Sequence, residues 1–177
     1  MRKVTAAEWL LSLFTTPDRA SAVAGDLLEQ RGSFWFNTLR TAGALLLKSA
    51  VARPFRLLLI ILLGYLVHSG VTTNAWVSHI TRGHTPLWWL AWRLAVAPAT
   101  MGYVVARFAR GSEVAACLGV AVIEWSLFGV GIGHSHMAAA YFALPPAVLA
   151  WFLFHFTAPG FVLICAGAWT RKRRYAH

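Results

Sequence analysis

The chain has 177 residues, 58% of them apolar and 12% charged, with a net charge of +10 and a mean hydropathy of +0.59. Soluble domains carry about a quarter of their residues as charges, so the composition excludes an ordinary water-soluble fold, and so apolar a chain has too much surface to bury to be disordered. The charge is unevenly divided: residues 1–30 carry −1 and residues 31–177 carry +11, with Glu113 and Glu124 as the only acids in the second part.

In chain order, the first segment reads as helical without reading as a membrane span. Its opening apolar stretch, Trp9 to Phe14, is too short for the apolar region of a cleavable signal. Thr16, Pro17 and Asp18 make a helix start, with a capping hydroxyl, a preset first turn and an acid at the positive end of the dipole. Ala20, Val23, Ala24, Leu27 and Leu28 then recur at helical spacing, and Gly32 is placed to end the helix. From Phe34 to Ala52 the apolar residues are interrupted by Asn37, Arg40, Thr41 and Lys48, which predicts a helix lying in the cytoplasmic interface. Such a stripe suits anionic lipid or a docked protein.

Within this segment, Glu8-Trp9-Leu10-Leu11, Pro17, Gly25-Asp26-Leu27-Leu28-Glu29, Phe34-Trp35-Phe36 and Leu39-Arg40 together resemble the permease prefix segment. That segment precedes the first transmembrane helix of acidobacterial-type ABC permeases and of small membrane proteins in related bacteria. The resemblance covers about 40 residues and implies a bacterial inner-membrane protein. It transfers no catalytic residues and no transport activity.

Four later stretches approach the roughly 20 apolar residues that a bilayer crossing requires. They run over about 54–71, 86–107, 114–133 and 145–169, the last begun by Pro145-Pro146. The expected fold is therefore all-α: an interfacial segment over 1–52, a four-helix transmembrane region over 53–170, and a basic tail over 171–177. With the N-terminus in the cytoplasm, Lys48, Arg53, Arg56, Arg107, Arg110, Arg171, Lys172, Arg173 and Arg174 fall at inner flanks, and Arg82 alone falls outside. That bias places both termini inside. Trp76, Trp88 and Trp89 fall at the outer boundary and Trp169 at the inner one, the depths that amphipathic rings prefer. The inner third also holds Cys117 and Cys165, which makes free thiols the expectation and leaves no disulfide framework or cysteine metal site.

Two charges interrupt the spans. Arg93 falls about 10 Å and Glu124 about 13 Å below the outer surface at 1.5 Å per residue, a matched depth that predicts a structural ion pair. Gly129 and Gly133 stand four apart on the third span, a spacing that admits a close helix neighbour. Among seven histidines, His155 lies deep in the fourth span and is the candidate haem or pigment ligand, with His68 as its possible axial companion. Their depths differ on this reading, and bulky Trp151 stands one turn before His155, so an interior hydrogen-bonded histidine is preferred and no cofactor or metal is expected. The chain has no His-Glu-x-x-His site, no Walker loop and no Gly-x-Ser-x-Gly elbow.

These features point to a non-catalytic small subunit of the inner membrane that packs against and stabilises a larger membrane complex, of the kind that respiratory and photosynthetic assemblies recruit. The expected partners are that complex and anionic headgroups at the cytoplasmic face; the bases flank apolar runs rather than form a nucleic-acid patch. Two alternatives stand beside it: a transporter or permease-like component working through Arg93 and Glu124, and a haem or pigment protein ligated by His155.

Overall fold

In the computed structural model every described element is helical; it describes residues 2–29, 33–80, 89, 91–134 and 146–175, and at residues 2, 72–80, 128–134, 147–149, 151, 152, 155 and 156 the backbone alone. Helices α1 (Arg2–Ser12), α2 (Pro17–Glu29) and α3 (Phe34–Val51) come first. The corner between α1 and α2 is closed by Phe14 and Thr15 amides donating to the Leu11 carbonyl, and α2 begins with the Ala20 amide donating to Thr16. Small residues let the three helices approach closely. Ala7 and Leu11 of α1, Ala20, Ala24 and Leu27 of α2, and Ala42 of α3 form one buried cluster.

The three helices thus share a core of their own. The outer side of α3 is apolar and exposed: Phe36, Leu39, Leu47 and Val51 recur at helical spacing and form one stripe. On the opposite side Thr38 is fully buried and donates to the Phe34 carbonyl at 2.8 Å.

Only Ala52 and Arg53 separate α3 from α4 (Pro54–Ile80). Among the described residues one helical stretch is long and apolar enough to cross a membrane, Pro54–Val71, with a mean hydropathy of 1.7. The helix itself runs nine residues past Val71, so His68 lies well inside it rather than near its outer end.

The second expected crossing begins differently from a plain helix. A π turn over Trp92–Val96 precedes α5 (Ala97–Phe108), and the Ala97 amide donates to the Trp92 carbonyl, an i→i+5 bond. Pro98, in the first turn of α5, cannot donate to the preceding turn, and the wider register sits where that donor is missing. Residues 81–88 and 90, which include Trp88 and Arg82, lie outside the described residues.

A connection of four residues turns α5 into α6 (Glu113–His134). Gly111 takes φ 87°, a left-handed conformation that side chains with a Cβ disfavour. Finally α7 (Pro146–Arg174) runs back through Pro159 without ending. It packs antiparallel to α6: a Cβ on Gly160 would stand 2.7 Å from the Trp125 ring, and one on Gly167 would stand 2.5 Å from the Cys117 sulfur. Against α5 the approach is closer still, since a Cβ on Gly102 would strike the Leu163 backbone carbonyl. Leu57, Val105, Ala106, Ala116, Val120 and Leu163 fill the centre of the bundle.

Candidate functional site

Two clusters of ionisable side chains mark the bundle, one at its base and one near its middle. The base cluster is built by two helix ends. The Ala109–Ser112 connection is held by the Ser112 amide donating to Ala109 at 2.8 Å, and it delivers Glu113 as the first residue of α6, where an acid suits the helix dipole. The last turn of α7 brings Arg171 and Arg174, three residues apart and so on one face. Glu113 is fully buried. Arg171 Nη1 donates to one carboxylate oxygen at 2.8 Å, and Arg174 Nη1 donates to the other.

Arg171 also reaches the end of α1, where its Nε donates to the Ser12 carbonyl at 3.4 Å, and its guanidinium lies 5.0 Å from the Tyr175 ring centre. One arginine therefore ties the N-terminal helices, the start of α6 and the end of α7 together. Sequence reasoning used Arg171 and Arg174 only as markers of orientation and gave Glu113 no role. A signal was present: an acid whose neighbourhood in the sequence is so rich in bases will find one of them.

The middle cluster gathers Glu124 of α6, His68 of α4 and Arg93 of the π turn. His68 is buried, and its Nε2 lies 3.5 Å from Glu124 Oε1. Arg93 stacks on Trp89, its guanidinium carbon 5.7 Å from the ring centre and within reach of a cation–π attraction; the charge of Glu124 acts on it as well. Among the described residues the close partner of Glu124 is thus His68, while Arg93, expected from depth to pair with it, lies within electrostatic range. The extra length of α4 beyond Val71 explains why His68 sits deep enough to join.

The remaining expected positions divide by place. Gly129 and Gly133 belong to α6 and His155 to α7, but their surroundings fall outside the described residues. Among the described residues, close helix approaches are found at Gly64, Gly102, Gly119, Gly160 and Gly167. Gly160 and Gly167 are seven apart on α7, one heptad, so they share a face; that spacing is the sequence signal for the α6 contact. Both cysteines are free, with Cys117 buried and donating to the Gly102 carbonyl at 3.5 Å.

A second feature lies beside the base cluster. Between α5 and α7 a cavity of about 470 Å³ is lined by Tyr103, Arg107, Trp169, Thr170, Arg173 and Arg174. Compared with protein-family models, curated proteins and solved structures, the chain matches none.

Proposed function

We propose that the chain is a four-crossing protein of the bacterial inner membrane, with both termini cytoplasmic, that serves as a non-catalytic subunit packing against and stabilising a larger membrane complex. The observation that carries the membrane reading is the surface of α4: its apolar window is only 17% buried. Leu58, Leu59, Leu62, Leu63 and Leu66 are instead exposed. Water disfavours so continuous an apolar surface, and lipid does not. The 22 residues of α6 and 29 of α7 correspond to about 33 and 43 Å of helix, enough for a hydrocarbon core of about 30 Å. The resemblance of the first 40 residues to the permease prefix segment, the inner-flank arginines and the apolar stripe on α3 support the same orientation.

Native mass measurement in mild detergent tests the subunit reading. A co-purifying protein bound in fixed ratio is expected, whereas a lone 19.5 kDa monomer overturns it. Labelling of His177 from the periplasmic side overturns the orientation.

The contact of His68 with Glu124, with Arg93 in range, favours a second reading, because ionisable groups inside a bundle mark ion or proton pathways. On that reading Glu124→Gln abolishes substrate movement while the folded protein accumulates normally. Loss of the folded protein in that variant would leave the cluster a structural role.

A further inference from the structure

We propose that the cavity between α5 and α7 binds a phosphate-bearing anion through Arg107 and Arg173. Three pairs at i, i+4 spacing line it: Tyr103 with Arg107 on α5, and Trp169 with Arg173 and Thr170 with Arg174 on α7. That spacing puts each arginine on the same helix face as an aromatic or hydroxyl residue.

The three arginines are in different states. Arg174 is held by Glu113. Arg173 lies over Trp169, its guanidinium carbon 4.0 Å from the ring centre, a contact that steadies its donors without supplying an acceptor. Arg107 is exposed and has no acid against it among the described residues. Glu113, the acid beside the cavity, already has both oxygens occupied by Arg171 and Arg174. The cavity therefore carries an excess of positive charge that nothing on the described chain neutralises.

A planar guanidinium held by stacking, as that of Arg173 is, matches the tetrahedral oxygens of phosphate, which accept paired hydrogen bonds. The Tyr103 hydroxyl can add a neutral donor. The volume exceeds that of a bare phosphate group, so an esterified phosphate fits better. Two sources meet this chemistry. On the membrane reading above, the cavity opens at the level of cytoplasmic headgroups, where basic pockets between helices hold anionic lipids. A soluble phosphomonoester presents the same oxygens.

The test uses the full chain in mild detergent, comparing wild type with Arg107→Gln/Arg173→Gln and with Arg110→Gln. Neither altered position of the double variant takes part in the Glu113 cluster, so folding should survive. Thermal stability and native mass are followed as phosphatidylglycerol, phosphatidylcholine, inorganic phosphate or a phosphomonoester is added. Wild type and Arg110→Gln should bind phosphatidylglycerol or the phosphomonoester, and the double variant should bind at least about tenfold more weakly. Dependence seen only with the lipid assigns a headgroup site; dependence seen with the soluble phosphates assigns a solute site. Equal responses of all three proteins, or no response from any, overturn the proposal. A chain that stays soluble without amphiphile would defeat the membrane reading, yet the inorganic-phosphate arm would still decide the cavity.

Discussion

Glu113 and Glu124 are eleven residues apart on α6, close to three helical turns, so they share a side of the helix. Glu113 has no exposed surface, and each of its oxygens accepts from a different arginine. Glu124 retains 25% exposure, and its one described close partner is a histidine at 3.5 Å. The difference follows from what surrounds each acid. At the base, the dipole of α7 and the positive flank gather arginines around a single acid. In the middle, helices bring few polar groups, and Glu124 takes what α4 and the π turn supply. A carboxylate saturated by two fixed donors behaves as a rivet. One beside a histidine, with an arginine only in range, is free to exchange partners.

The largest expected effect tests the rivet. Glu113→Ala leaves Arg171 and Arg174 facing each other in a buried place, a loss of about 3–5 kcal/mol. The melting temperature in detergent should fall by about 10 °C, and protease sensitivity of α1 should rise because Arg171 would no longer be held against Ser12. Arg171→Gln should share the second effect. A melt indistinguishable from wild type would mean the base cluster contributes nothing, and the contrast with Glu124 would vanish.

Helix approach provides the next test. Gly102→Ala places a methyl group against the Leu163 carbonyl, and backbone cannot rotate aside as a side chain can. The expected cost is about 1–3 kcal/mol, read as a lowered melting temperature. Gly43→Ala, where nothing lies within 4 Å, should be neutral or stabilise α3 by about 0.5–1 kcal/mol. Equal effects at the two glycines would show that α5 and α7 are less tightly opposed than the base cluster implies.

Much of the helical plan was legible because local chemistry states it. Pro17 and Pro54 sit at helix starts. Long apolar runs expected over 114–133 and 145–169 appear as α6 and α7, each reaching slightly further. Three things were not legible. The π turn depends on how Pro98 is accommodated, which hydropathy does not encode. The depth of His68 depended on where α4 ends, and the residues after Val71 are too mixed in polarity to extend an apolar run. The role of Glu113 is hidden because pairing is decided in three dimensions: its partners are 58 and 61 residues away in sequence. The N-terminal helices were expected at the interface one by one, but the alanines at 7, 20, 24 and 42 are what join them into a layer, a pattern visible only across three helices at once.

The smallest expected effect sharpens the comparison most. Glu124→Gln and His68→Gln should each cost about 1 kcal/mol, the scale of a single imperfect polar contact between a buried histidine and a partly exposed acid. The informative quantity is their coupling in a double-mutant cycle, because single losses also include packing. If Glu124 divides its attraction between His68 and Arg93, removing His68 leaves Arg93 to take up the carboxylate, and the cycle should give a coupling below about 1 kcal/mol. Repeating the cycle in an Arg93→Gln background removes that substitute, so the His68–Glu124 coupling should increase. A coupling above about 2 kcal/mol in the wild-type background would instead show this pair to be bound as tightly as Glu113 is to its arginines. Both acids of α6 would then be rivets, and the middle of the bundle would lose the partner exchange that a moving charge requires.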